Sequence, residues 1–156
     1  MADTKTYVSH FECSISGKTY PAGQIHGLSE AGRPLLVRYD LERMKQELNR
    51  DSGIDNTQPG FWRYASLLPV TKAESRISLG EVVTPLIDLN YSLKHLGGKT
   101  GNVIVKDEGR LPTGSFKARG LALAVSMAHE FGIEHLAIPT NGNAGAAMAA
   151  YARKAG

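Results

Sequence analysis

Pro112-Thr113-Gly114-Ser115-Phe116-Lys117-Ala118-Arg119-Gly120 is the stretch on which the reading of this chain turns. A glycine-containing turn runs straight into Ser115 to Phe131, an Ala- and Leu-rich segment with helical spacing through Leu121, Ala124, Val125 and Ala128. Gly132 follows as its cap. Lys117 therefore stands in the first turn of a predicted helix, with apolar Phe116 beside it. A helix N-terminus carries partial positive charge and unpaired N–H groups, so an ammonium is disfavoured there and the neutral amine becomes available. A neutral amine is the nucleophile that Schiff-base chemistry needs. A surface lysine on an amphipathic helix has the same spacing, so spacing alone leaves both readings open.

Outward from this stretch the pattern is that of an open α/β sheet. Asn102 to Lys106 alternates as a buried strand does, and Gly109 to Gly114 is rich in turn residues. Downstream, His135 to Pro139 reads as a short apolar strand, Asn141-Gly142-Asn143 as a turn, and Ala144 to Lys154 as a second helix. Strand, helix, strand, turn, helix opens a parallel sheet. Two strands and two helices do not cover both faces of such a sheet, which predicts that the chain is the amino-terminal portion of a longer product.

Thr140-Asn141-Gly142-Asn143-Ala144-Gly145 lies between that strand and the helix start. Backbone N–H groups there hold a carboxylate or phosphate, with Asn and Thr side chains as further donors. An ordinary strand-to-helix turn with Asn at the cap fits equally. Two phosphate-loop alternatives fail. Gly109 and Gly114 have P-loop spacing, but Ser115 and Phe116 stand where Lys and Ser/Thr are required. The order Gly142-Asn143-Ala144-Gly145-Ala146-Ala147 is not a dinucleotide fingerprint.

The amino-terminal part reads differently. Phe11 to Ser14 and Lys18 to Tyr20 flank Ser16-Gly17 as a tight hairpin, and Pro34 to Arg38 is a further short apolar run. Asp40 caps a helix spaced by Leu41, Met44, Lys45 and Leu48, which Asp51-Ser52-Gly53 ends. Residues 51 to 60 read as a linker or exposed loop, Phe61 to Tyr64 open a short helix stopping before Pro69, and Ile77 to Leu89 reads as irregular. The division predicted is 1–58, an extension, and 59–156, the start of an α/β catalytic region.

Composition narrows the class. Over 156 residues, 42% hydrophobic and 21% charged content is that of an ordinary globular protein. The net charge of +3 is spread along the chain without a basic run, so no nucleic-acid surface is expected. A modest positive field suits an anionic ligand instead. No stretch is long and apolar enough for a membrane span, and Met1 to Lys5 lacks the apolar core of a signal peptide. One cysteine, Cys13, leaves no internal disulfide. A cytoplasmic protein is expected.

The stretch Pro112 to Gly120 resembles the cofactor-lysine motif of threonine synthases and related fold-type II pyridoxal-phosphate enzymes, and Thr140 to Asn143 resembles their Ser/Thr-x-Gly-Asn turn. Upstream, Pro34 to Leu41, Trp62-Arg63-Tyr64 with Leu67-Leu68-Pro69, and Ser78 to Glu81 with Thr84-Pro85-Leu86 resemble threonine synthases in the same order. The resemblance implies a three-layer αβα architecture and pyridoxal 5'-phosphate held covalently by Lys117, with Phe116 beside it. It implies that Asn143 hydrogen-bonds the cofactor's phenolic oxygen and that Thr140, Asn141, Gly142, Asn143 and Ala144 receive the substrate carboxylate. The implied reaction turns O-phosphohomoserine and water into threonine and phosphate, in a homodimer of the full-length enzyme. Lys117 is then also the catalytic base. The Gly-rich phosphate loop of these enzymes, and their Ser or Thr near the pyridine nitrogen, do not occur among these residues. This chain alone is therefore expected to bind the cofactor weakly and to be inactive, as a fragment or binding module.

Departures from the family pattern carry their own expectations. Many relatives hold two Cys-x-x-Cys pairs in a small zinc ribbon; here Cys13 is followed by Ser16, and Ser29 and Gly32 replace the second pair. One soft ligand does not hold zinc, so a ribbon without metal is expected. Val82 replaces a common glycine and Ala118 a common aspartate. These two leave room for a paralogue such as cysteate synthase or threonine dehydratase, although simple dehydratases usually lack the extension. The five histidines show no metal-ligand spacing, and Met127, Met148 and Trp62 read as packing residues. Asp107 and Glu108 either line the site or sit in a solvated turn.

Overall fold

The computed structural model describes residues 3–48, 54–95, 97 and 103–156. Its first unit is an antiparallel sheet in the order β2-β1-β3, from β1 (Val8–Cys13), β2 (Thr19–Pro21) and β3 (Leu35–Tyr39). Phe11 pairs with Tyr20 and with Val37, so β1 carries a partner on each edge. The turn joining β1 to β2 passes through Gly17 at φ 68°, as the hairpin signal requires. Asp40 caps α1 (Leu41–Glu47), its carboxylate accepting from the Arg43 N–H at 3.0 Å. The predicted stop at 51–53 lies outside the described residues.

Four positions of the expected ribbon converge at one end of this sheet. Cys13 is buried and its thiol donates to the Ser29 hydroxyl at 3.1 Å, while the Ser16 N–H points at its sulfur at 3.5 Å. Gly32 N–H donates to the Ser29 carbonyl at 2.8 Å. Backbone bonds stitch the unit onto the rest of the chain: Thr4 N–H to Thr71 O and Tyr7 N–H to Ser66 O, both 2.9 Å.

A kinked 3-10 segment at Phe61–Leu67 and a single 3-10 turn at Ala73–Ser75 lead to β4 (Leu86–Asp88), α2 (Asn90–His95) and β5 (Ile104–Lys106). Two more, Glu108–Arg110 and Pro112–Gly114, precede α3 (Lys117–Glu130), and α4 (Asn143–Ala155) follows. α3 closes in a Schellman pattern, Ile133 N–H to Ala128 O at 2.9 Å and Gly132 N–H to His129 O at 3.1 Å. Its buried face, Ala118, Ala122 and Val125, packs with Phe61, Trp62, Val70, Ile77, Leu111 and Tyr151 into the core. Trp62, a packing residue as expected, also donates its indole N–H to the Ile77 carbonyl at 3.0 Å. Met127 and Met148 pack against the same core.

Three expectations about the sheet are corrected. β5 pairs antiparallel with β4, Ile87 opposite Val105, and both strands are exposed where a buried parallel strand was expected. The segment 77–89 is irregular only up to Pro85, because Leu86–Asp88 forms β4. Residues 135–139 form no strand and are largely exposed: among the described residues no neighbouring strand accepts their backbone bonds. The content is mixed α/β, and no parallel ladder forms among the described residues.

A buried carboxylate joins α4 to the segment before β4. Glu81 is 3% exposed and accepts from the Ser78 hydroxyl at 2.5 Å, the Leu79 N–H at 3.0 Å and the Tyr151 hydroxyl. Burial alone would raise the Glu81 carboxyl, but these donors outweigh it and hold it below the ordinary carboxylate range. The Tyr151 hydroxyl moves the other way, pushed up by burial and by its bond to Glu81. Tyr151→Phe removes one donor from a buried charge and is expected to cost about 1–3 kcal/mol, read from a urea midpoint at unchanged slope.

Candidate functional site

Lys117 opens α3, and α4 begins with Asn143. The two helices pack on each other, and α4 also packs on the Pro112–Gly114 turn. That packing brings the two N-terminal ends to one place. A cavity of about 450 Å³ is lined by Lys117, Pro139, Thr140, Asn141, Asn143 and Ala144. Its size is within the range that takes a small ligand. The predicted site residues Lys117, Thr140, Asn141, Asn143 and Ala144 thus line one cavity. Phe116 lies beside it, 60% exposed, with the Lys117 amine 4.3 Å from its ring centre.

The turn is built by Thr140 and two glycines. Thr140 Oγ1 accepts from the Gly142 N–H at 3.0 Å and the Gly145 N–H at 2.9 Å. Gly142 adopts φ 130°, ψ −73°, a backbone region that a side chain would obstruct. A Cβ on Gly145 would stand 2.7 Å from Thr140 Cγ2, so only glycine lets the threonine reach over the helix start. A hydroxyl has two lone pairs and one proton. Both lone pairs of Thr140 face amides, which leaves its O–H to donate to a ligand acceptor such as a carboxylate. Thr140→Val keeps the shape and removes the acceptor. It is expected to cost about 1 kcal/mol and to speed hydrogen exchange at the Gly142 and Gly145 amides.

Electrostatically the cavity favours an anion. No carboxylate pairs with Lys117, and no partner bonds the Asn141 or Asn143 side chains, among the described residues. Ser115, two residues before Lys117, is 8% exposed and its hydroxyl has no hydrogen-bond partner among the described residues. A buried hydroxyl left so costs free energy that a ligand or water would recover. An unpaired amine, two unpaired amides and a hydroxyl poised to donate suit a ligand carrying an aldehyde and anionic oxygens. The donor set therefore fits pyridoxal phosphate.

Glu108 and Arg119 behave as sequence reasoning did not foresee. Glu108 neither lines the Lys117 cavity nor sits free in a turn. It takes the Arg119 guanidinium on both oxygens, Nη2 to Oε1 at 2.8 Å and Nε to Oε2, and accepts from the Thr84 hydroxyl at 2.6 Å. Arg119 foremost, with help from Thr84 and Lys106, holds the Glu108 carboxyl at about 2 against the opposing effect of burial. Its contribution to stability is therefore complete above the ordinary value of 4.5 and is lost as pH falls toward 2. Asp107 caps the turn between them, accepting from the Gly109 N–H at 3.1 Å. Ala118 is fully buried in the core, away from the cavity, so its replacement of a common aspartate is a matter of packing. Val82 lies on a separate cavity of about 240 Å³ with Arg63, Lys106 and Arg119. Among the described residues no cluster of His, Cys, Asp or Glu could hold a metal ion, and no helix is long and apolar enough to cross a membrane.

Comparison with known proteins gives this geometry its context. The chain is 38% identical over 144 residues to the threonine synthase of Methanocaldococcus jannaschii, a match covering 92% of the chain and 35% of that protein. It is 34% identical over 148 residues to the threonine synthase of Methanosarcina acetivorans, covering 94% and 35%. With the threonine synthase of Halalkalibacterium halodurans it shares 45% identity over 93 residues, 60% of the chain and 25% of that protein. The chain spans about a third of the length of the first two relatives, 35% in each case. Residues 77–156, just over half of the chain and including Lys117 and the whole 139–144 turn, match the family described as pyridoxal-phosphate dependent enzyme. By that match the chain belongs to the pyridoxal-phosphate-dependent enzyme family.

Proposed function

We propose that this chain serves a pyridoxal-phosphate-dependent threonine synthase, which turns O-phosphohomoserine and water into threonine and phosphate. The observation that carries the reading is the shared cavity of Lys117 and the Thr140–Ala144 turn. The names of the relatives point the same way. Lys117 Nζ would hold the cofactor, and its free amine would serve as the base for the substrate's α-proton. Asn143 bonds the cofactor's phenolic oxygen. Thr140 O–H, Asn141 and the backbone of 142–144 hold the substrate carboxylate and so fix which Cα–H faces Lys117. When bound, pyridoxal phosphate supplies the electron sink for charge developing at carbon.

The proposal extends to the setting. Residues 1–58 form an extension whose β1–β3 unit is a ribbon closed by the Cys13–Ser29 hydrogen bond in place of metal, and 59–156 open the three-layer catalytic region. The full-length enzyme is a cytoplasmic homodimer acting on a phosphorylated amino acid, without nucleic-acid or membrane partners. The burial of Ala118 favours this reading over a dehydratase or cysteate synthase with an altered site.

Two measurements test it. The chain is titrated with pyridoxal phosphate, reduced with borohydride and peptide-mapped; an adduct confined to Lys117 is expected, and labelling spread evenly over surface lysines sinks the site. Release of inorganic phosphate from O-phosphohomoserine, with threonine formed in equal amount, is expected of the holoenzyme. Deamination of threonine in its place would point to a dehydratase.

A further inference from the structure

Lys117 and Arg119 are the first and third residues of α3. At about 100° per residue their side chains leave the helix on nearly opposite sides. Lys117 faces the cavity with the 139–144 turn, and Arg119 reaches Glu108. Glu108 follows β5, and the Thr84 that donates to it precedes β4. One carboxylate therefore fastens the first turn of α3 to both strands of the antiparallel β4–β5 pair, at the end where Leu86 faces Lys106. Lys106, on β5, adds its ammonium 3.7 Å from the same carboxylate.

The turn is otherwise held by the backbone bonds Ala118 N–H to Ser115 O and Arg119 N–H to Phe116 O, both 3.2 Å, and by the buried Ala118 methyl, while Phe116 at the cap position gives no side-chain bond. Thr113 and Gly114, just before it, are both left-handed, at φ 65° and 70°. A β-branched residue keeps such a conformation only where its surroundings impose it. The far end of α3 is anchored independently. Glu130 accepts from Thr71 N–H, Thr71 Oγ1 and Lys72 N–H at 2.8–2.9 Å, and Ser126 accepts from Ile77 N–H at 3.0 Å.

We infer that Glu108, acting through Arg119, is a positioning residue for the Lys117 amine: the bidentate pair sets the rotation of the first turn of α3 and with it the direction in which Lys117 enters the cavity. This rests on the pyridoxal-phosphate reading of Lys117. Reactive groups need placement to within about half an ångström and 10–20°, and misplacement of about 1 Å costs on the order of a hundredfold in rate. A planar guanidinium held on both carboxylate oxygens supplies that angular definition; a single ammonium does not.

The test compares Glu108→Gln, Arg119→Lys and Glu130→Gln with the unsubstituted chain. Glu108→Gln keeps size but loses the charge and turns one acceptor oxygen into a donor facing the guanidinium, and Arg119→Lys keeps charge but loses the fork. Both are expected to slow adduct formation at Lys117 on the order of tenfold. Both are also expected to raise hydrogen exchange at amides 118–121 while leaving 124–130 unchanged. Glu130→Gln, which weakens the anchoring at the far end of α3, is expected to keep the unsubstituted rate. An unchanged rate in Glu108→Gln, or an equal loss in Glu130→Gln, overturns the inference and leaves the cofactor reading standing. No adduct in the unsubstituted chain ends both. Should Glu108→Gln fail to fold, Glu108→Asp, which retains the charge and draws the fork back by one methylene, is read by the same two outcomes.

Discussion

A chain carrying Lys117→Ala yields no borohydride-fixed adduct at position 117 and melts within about 2 °C of the unsubstituted chain. The two halves of that result have separate causes. Lys117 makes no hydrogen bond or ion pair among the described residues; its one recorded contact is with the exposed ring of Phe116, 4.3 Å from the amine. A contact of this kind at an exposed site is worth about 0.5–1 kcal/mol. Alanine is the best helix former, and at the first position of α3 it offsets part of that loss. The amine, by contrast, has no substitute in the cavity, because none of its other lining residues is a lysine. Lys106 belongs to the neighbouring cavity and is engaged with Glu108 and the Thr84 carbonyl. An adduct that moves to Lys106 in the variant, or persists at the original yield elsewhere, contradicts the assignment.

What could be read from the chain follows from how far each signal reaches. Features that one turn of chain specifies were legible: the hairpin at Ser16-Gly17, the Asp40 cap, the placing of Lys117 in the first turn of a helix read from Ser115, two residues before α3 begins, and its end at Gly132. The meeting of Lys117 with the 139–144 turn follows from motifs at both helix starts once α3 and α4 pack together. Pairing between distant segments was not legible. Leu86–Asp88 is too short to show alternation, so its pairing with Ile104–Lys106 left no trace in the pattern. Residues 135–139 have the apolar run of a buried strand, but such a run does not name a partner, and among the described residues they have none. Glu108 and Arg119 are 11 positions apart with a tight turn between them, and Glu81 and Tyr151 are 70 apart. No periodicity links either pair. The buried Ser115 hydroxyl was equally hidden, since its burial depends on packing around the turn.

Gly60→Ala is expected to be the most destabilising single-methyl change in the chain. Gly60 has φ 71° and ψ −144°, a region closed to residues with a Cβ. Space makes the matter worse: an added Cβ would stand 1.9 Å from the Glu81 carbonyl oxygen and 2.9 Å from its carbon. Both are backbone atoms, so no side-chain rotation relieves the overlap. Glu81 resists displacement because its carboxylate is tied to Ser78, Leu79 and Tyr151, and Phe61, next to Gly60, is already core. Backbone strain of about 1–3 kcal/mol and repacking of about 1–3 kcal/mol therefore act together, giving a loss of about 2–6 kcal/mol. Gly23→Ala separates the two contributions. Gly23 has a similar φ of 76° but nothing within 4 Å of the Cβ position, so that variant reports the dihedral cost alone, about 1 kcal/mol. Urea midpoints for both variants decide the matter. Equal losses would mean that Glu81 yields to the methyl and that the buried carboxylate is not the rigid tie between α4 and the segment before β4. A much larger loss at Gly60 shows that the close approach of its backbone to Glu81 fixes where α4 sits, and with α4 the turn that faces Lys117.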